Sequence, residues 1–400
     1  MATTPRDECR SDGRVEGSER MSGSDSAARG RGCPDRLAEL GYGAEEVRDR
    51  IDACWHAMFY GSEDERIYRP VGDSMGQVVD TGNDDARTEG MSYGMMMAVQ
   101  MGDKDLFDRL WRWALTFMYR REGKFSGYFA WSANLDGSLR AEGPAPDGEE
   151  YFALALFFAS HRWGDGPEPL DYSAKARRLL WDCVHKGSEA PGDSMWDPLN
   201  ALIKFVPDCP WTDPSYHLPH FYELFEAWAE PGDRPFWRRA KEASRSYLPK
   251  ACHPDTGLAP EYAEFDGSPH RAAWDYGHHL FYSDSYRVAA NIGLNDAWSG
   301  RDHALSDIAG RIVRFFDEQD PGDLRMYELD GRPLEEPALH PVGLIATNAM
   351  ATLALEPEDA AARAVERFWS TPLRSGKRRY YDNCLYFFAL LALSGRYRVY

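Results

Sequence analysis

Three carboxylates stand at the start of three apolar stretches, and each could do acid–base chemistry. The first is Glu89, in Arg87-Thr88-Glu89-Gly90-Met91-Ser92-Tyr93-Gly94, which leads into Met95-Met96-Met97-Ala98-Val99. Those residues are apolar all round, the pattern of an inner helix of a large helical protein. Asn83, Asp84, Asp85 and Thr88 supply cap-type side chains just upstream. Two effects on Glu89 oppose each other: a helix N-terminus favours the carboxylate, whereas burial or a second carboxylate favours the acid. Only the second outcome yields a proton donor near neutral pH. The plain structural alternative is a first-turn partner of the helix dipole, bonded to Arg87 or to a backbone N–H. Gly90 and Gly94 weaken the helix but admit a close neighbour.

The second carboxylate is Asp147, in Pro146-Asp147-Gly148-Glu149-Glu150, which opens the apolar run Tyr151 to Ala159. Its spacing to Glu150 predicts an N-cap and a capping box, so capping alone could account for it. The third is Asp284, in Ser283-Asp284-Ser285-Tyr286-Arg287, where Asp284 and Arg287 share a helical face at i, i+3. A structural ion pair is the bland reading of that spacing. Asp213-Pro214-Ser215-Tyr216 is a further helix start, with Tyr216 either a core aromatic or a hydroxyl lining a cleft. Carboxylates at one mouth, among many Trp and Tyr rings, suit glycoside hydrolysis: one acid protonates the leaving oxygen, and a carboxylate opposite activates water or attacks the anomeric carbon.

Positioning such groups requires a large scaffold, and the rest of the chain is consistent with one. Helical patterns fall at 35–60, 87–101, 103–119, 148–162, 171–186, 215–229, 234–249, 276–293, 301–319, 341–355, 358–369 and 380–394. Apolar segments alternate with amphipathic ones such as Asp103 to Tyr119, which predicts an all-α, double-layered barrel of helical hairpins with few strands. The loops at 61–86, 120–147, 187–214, 250–275 and 320–340 are longer than connections require, and are expected to build one mouth.

Composition narrows the chemistry. The 400 residues carry 13 Trp, 21 Tyr and 19 Phe, with a net charge of -19. Rings that stack on sugars fit this balance; nucleic acid, which needs a basic surface, does not. No run approaches the roughly 18 apolar residues of a membrane span. Residues 1–34 lack the apolar region of a secretory signal and read as a disordered extension, with one catalytic domain over 35–400. Seven scattered Cys without C-x-x-C spacing predict reduced thiols and a cytoplasmic location. His278-His279 with Asp275 makes a poor chelate, and no phosphate loop, dinucleotide fingerprint or nucleophile elbow is present, so neither metal nor cofactor is expected.

Taken together, the segments Arg87 to Met96, Pro146 to Glu150, Asp213 to Tyr216 and Ser283 to Arg287 resemble glycoside hydrolase family 8, across essentially all of 35–400. Ala338-Leu339-His340-Pro341-Val342-Gly343-Leu344 is similar to the loop of that family's exo-acting members, which release xylose from the reducing end of xylo-oligosaccharides. Tyr380-Tyr381-Asp382-Asn383 is similar too.

The resemblance implies an (α/α)6 barrel and an inverting mechanism. It implies Glu89 as general acid, Asp284 as general base, Asp147 as a helper at the -1 sugar and Tyr216 as the tyrosine bonded to the nucleophilic water. Arg87 and Trp131 match cleft positions near that sugar. Leu339, His340 and Pro341 match the loop that closes the leaving side, with His340 reading the reducing-end hydroxyl. Tyr93, Arg287 and Tyr381, inside the matching motifs, are expected to bind substrate. Tyr151 and Phe152 follow Glu150 where many members carry an acid, which leaves Asp147 or Glu150 as the helper. An endo-acting xylanase or endoglucanase of the same family is the nearest alternative. A sugar epimerase or a binding protein on the same barrel is a more distant one.

Overall fold

The computed structural model describes residues 30–274 and 277–400. The expected extension up to residue 29, and Asp275, lie outside the described residues. Helices of ten residues or more follow in order: α1 (Ala44–Tyr60), α2 (Thr88–Met101), α3 (Lys104–Trp113), α4 (Pro146–Trp163), α5 (Tyr172–His185) and α6 (Pro219–Trp228). Then come α7 (Arg234–Ala251), α8 (Tyr286–Ser299), α9 (His303–Asp317), α10 (Pro341–Ala351), α11 (Asp359–Ser370) and α12 (Arg379–Leu393).

The even-numbered helices form the inner ring and the odd-numbered ones the outer, giving an (α/α)6 barrel. Polarity explains the division. In α12 every residue after Arg379 is buried, and in α4 the first fourteen are. In α9, by contrast, Leu305, Ile308, Ala309, Ile312, Val313 and Phe316 bury one stripe and leave the other face to water. Each inner helix contacts the next, and α12 returns to α2 to close the ring.

Between helices, the long loops carry short antiparallel ribbons: β1 (Tyr68–Val71) with β2 (Met75–Val78), β3 (Asp85–Arg87) with β4 (Ser132–Asn134), β5 (Trp211–Thr212) with β6 (Ala263–Glu264), and β7 (Arg325–Tyr327) with β8 (Pro333–Pro337). The β3–β4 pair sets Arg87 opposite Ser132 and delivers the chain into α2. The six described cysteines are unpaired thiols. No helix among the described residues is long and apolar enough to cross a membrane.

Several element boundaries differ from the sequence expectation. The segment 35–60 breaks at Gly41, whose φ of 89° no helix continues, and α1 starts after Gly43. The segment expected at 276–293 lies later. A single 3-10 turn, Ser283–Ser285, precedes α8, which runs on to Ser299 and stops at Gly300. Likewise Pro214–Tyr216 is a separate turn, and Pro219 begins α6 at the position that lacks an intrahelical N–H bond anyway. The expected caps of α2 are not caps: Arg87 holds that position in extended backbone without a side-chain bond. Asp85 instead accepts from Ser132 Oγ at 2.7 Å and from Arg87 Nε at 3.2 Å. Nor does Asp147 cap α4, because Ala145 does, with Pro146 following. Residues 30–34, grouped above with the extension, join the fold: Gly30 N–H donates to Val399 O at 2.8 Å and Val399 N–H to Arg31 O at 2.9 Å.

Candidate active site

All six inner helices contribute to one cleft of about 540 Å³, each from its first turn or the turn just before it. Glu89 comes from α2, Asp147 from α4, Tyr216 from before α6, Asp284 from before α8, His340 from the start of α10, and Tyr380 with Tyr381 from α12. Apolar inner helices pack side by side, so their starts converge on one rim. Burial of the helix bodies thus brings together acids that are far apart in the chain.

Beneath the cleft lies Arg287, 4% exposed. Its Nη1 donates to Asp147 Oδ2 at 2.9 Å, to Tyr93 Oη at 3.1 Å and to Glu89 Oε2 at 3.2 Å. Its Nη2 lies 3.4 Å from Asp284 Oδ2 and 3.9 Å from Asp213 Oδ2. The guanidinium also stands 5.5 Å over the ring of Tyr216. A buried cation is tolerable only when paired, and here four carboxyl groups share it. Glu89 and Asp284 are reached from different nitrogens of one guanidinium. Their oxygens therefore lie no further apart than the ~6.5–9.5 Å window in which an inverting pair leaves room for water.

Glu89 is held from a second side. Tyr380 Oη donates to its Oε1 at 2.7 Å. Gly90 makes this possible, because a Cβ there would fall 2.6 Å from the Tyr380 hydroxyl. Burial pushes the Glu89 carboxyl up to about 8, with Arg287 opposing and Asp147 and Asp284 adding to the rise. Of the two effects weighed on the sequence, burial wins, and Glu89 keeps a proton at neutral pH. Its contact with Arg287 is then a hydrogen bond to a neutral acid. Burial raises Asp147 as well, against the pull of Arg287.

Asp284 has a different setting. Its side chain is 35% exposed, in a 3-10 turn rather than a helix. Its backbone N–H donates to Glu261 Oε1 at 2.6 Å, and the other oxygen of Glu261 meets His278 Nδ1. Glu261 is buried, with its carboxyl raised by that burial.

Arg87 lines the cleft, pinned by Asp80 at 3.1 Å and standing 5.4 Å over the ring of Trp131, which also lines it. Leu339, His340 and Tyr381 line it too. Other expected residues lie elsewhere. Tyr93 and Arg287 are beneath the floor rather than at the surface a sugar would touch, because the carboxylates cover the guanidinium. Pro341 is the first residue of α10 and is not part of the cleft wall. Between Asp147 and Glu150, only Asp147 lines the cleft; Glu150 is fully buried and accepts from Tyr222 Oη at 2.7 Å. No group of three or more His, Cys, Asp or Glu among the described residues could hold a metal ion.

Sequence reasoning did not single out Glu261, Asp213 or Tyr380 as parts of the site. Glu261 lies in a loop without periodicity and carries no local signal. Asp213 was legible only as a turn residue, a role it does fill by accepting from Ser215 N–H at 2.7 Å. Tyr380 stood inside a motif but is 291 residues from its partner.

The sequence model of the glycosyl hydrolases of family 8 matches residues 72–326. The chain is a family 8 glycosyl hydrolase. This family 8 enzyme is 58% identical over 360 residues to the reducing-end xylose-releasing exo-oligoxylanase of Paenibacillus barcinonensis, covering 90% of this chain and 94% of that one. It is 49% identical to the enzyme of that name from Bifidobacterium adolescentis, covering 90% and 96%. Among solved structures, the Paenibacillus barcinonensis enzyme in complex with xylose superposes with a TM-score of 0.91 at 55% identity, over 94% of this chain and 99% of that one.

Proposed function

We propose that this family 8 hydrolase is an inverting exo-oligoxylanase, which cuts one xylose at a time from the reducing end of xylo-oligosaccharides. Glu89 gives its proton to the glycosidic oxygen as the bond to the anomeric carbon breaks. A water on the opposite face attacks that carbon and passes its proton to Asp284. Tyr216 orients the water. Asp147 stays fixed by Arg287 and bonds the sugar at the point of cleavage, while Trp131, beside Arg87, offers a ring face for stacking. Leu339 and His340 form the wall beyond the leaving sugar. Six described cysteines as free thiols support a cytoplasmic setting.

The observation that carries this reading is the shared guanidinium. Glu89, with its carboxyl pushed up by burial, and the more exposed Asp284 both contact it and face the same cleft, which supports an acid and a base at one linkage. The relatives named above supply the substrate class. Timed hydrolysis of xylotriose labelled at its reducing end tests both parts. Labelled xylose with unlabelled xylobiose, formed first as the α-anomer by NMR, is the expected result. Labelled xylobiose with unlabelled xylose would put the cut at the other linkage and count against reducing-end exo action, the β-anomer first would indicate retention, and no new reducing end would indicate a binding protein or an epimerase.

A further inference from the structure

The run Tyr380-Tyr381-Asp382-Asn383 reaches three parts of the cleft from one helical turn. Tyr380 bonds Glu89, and Tyr381 donates to Ser283 O at 3.4 Å while packing edge-on to His340 at 4.8 Å. Asp382 is fully buried and does not touch the cleft. Its Oδ2 meets His340 Nδ1 at 2.9 Å, and its Oδ1 accepts from Gly343 N–H at 2.8 Å in the first turn of α10. Arg374 completes the clamp: Nη1 donates to Asp382 Oδ2 and, at 2.7 Å, to the carbonyl of Leu339. Arg374 is itself held by Asn383, whose Oδ1 accepts from Arg374 N–H at 2.8 Å and whose Nδ2 donates to Arg374 O at 3.0 Å.

From this geometry, and resting on the exo-acting reading above, we infer that Asp382, with Arg374, is the residue that makes the cleft demand a free reducing end. It does so by fixing the tautomer of His340. A carboxylate only accepts, so the nitrogen facing Asp382 must carry the proton. In the neutral ring the other nitrogen, Nε2, then presents a lone pair, and it has no hydrogen-bond partner among the described residues. A lone pair can receive the hydroxyl proton of a free anomeric centre. It cannot bond the ether oxygen of an internal linkage, which has no proton to give. The opposite tautomer, with Nε2–H as a donor, would bond both. A site built around one hydroxyl rejects the analogue that lacks it, because its buried polar group is left unpaired. Asp382 is thus a positioning residue whose effect is read in specificity.

The test compares xylotriose with xylotriose capped as its methyl glycoside at the reducing end. Wild-type enzyme is expected to prefer the free oligosaccharide strongly in kcat/KM. If it does not, the exo-acting reading itself fails, whatever Asp382 does. In Asp382→Asn the preference is expected to fall by about tenfold or more, mainly through a higher KM for the free substrate. Arg374→Met, which frees the Leu339 carbonyl but keeps the Asp382 carboxylate, is expected to lower the preference less. Nitrogen-15 NMR of the wild-type imidazole reads the tautomer without turnover, and so decides the matter even if Asp382→Asn fails to fold. A proton on Nδ1 is expected. A proton on Nε2, or an unchanged preference in folded Asp382→Asn, would overturn the inference.

Discussion

Glu89 and Asp284 carry the same functional group, contact the same guanidinium and face the same cleft, yet their surroundings are opposite. Glu89 belongs to a helix, its side chain is 14% exposed, and a tyrosine hydroxyl and an arginine enclose it. Asp284 belongs to a 3-10 turn, is more than twice as exposed, and is placed through its backbone by Glu261 as well as by its side-chain contact with Arg287. Water is what separates them. Burial pushes the Glu89 carboxyl up, whereas Asp284 stands open to water. On the proposed assignment, two acids of nearly equal intrinsic strength take opposite roles in this way.

The largest effect should come from removing either side. Glu89→Gln and Asp284→Asn are each expected to lower kcat by about 10²–10⁴-fold with the fold intact, checked by initial rates alongside circular dichroism. Activity near wild type in one of them would mean that the contrast between the two sites does not govern the chemistry.

A smaller effect tests the environment of Glu89 alone. Because its carboxyl is raised to about 8, the acid form is lost as pH rises through that value, so kcat should fall on the alkaline side near pH 8. The Tyr380 hydroxyl bond favours the carboxylate and holds that value down. Tyr380→Phe should therefore move the alkaline limb to higher pH. A limb that stays in place, or moves lower, would assign it to another group.

The smallest effect uses Glu149 as a control, since it is fully buried, unlike Glu89, and does not line the cleft. Burial raises its carboxyl to about 8, and Oε1 accepts from Phe129 N–H at 2.9 Å. A folded-state value above the unfolded one means that its contribution is fully present at low pH and lost as pH climbs from about 4.5 to about 8. Glu149→Gln keeps the acceptor and removes the charge. Its Tm should match wild type at pH 4.5 and exceed it by a few degrees, on the order of 4–8 °C, at pH 9, with activity at neutral pH unaffected.

Much of this was legible before the structure. Apolar segments without a polar face marked the inner helices, and acids at the starts of three of them marked the site. Both signals are local, because burial of a helix body and of its first turn are written in adjacent residues. What stayed hidden was every contact that depends on how distant segments meet. The partnership of Arg287 with Glu89 spans 198 residues, and only the closed ring creates it. The same holds for Asp382, which reads as one polar residue at the head of an apolar helix until α10 is laid beside it. Asp147 and Glu150, which the sequence left as alternatives, show the same limit. A motif cannot say which of its acids faces the cleft.

The crowding around Arg287 has a consequence for the energetics of turnover. On the proposed assignment, one carboxyl touching that cation surrenders a proton while another touching it gains one. The total charge around the cation is therefore the same before and after the bond is cut, and the dipoles behind it need not rearrange. Such an electroneutral exchange about a fixed counter-ion would leave the rate nearly indifferent to added salt.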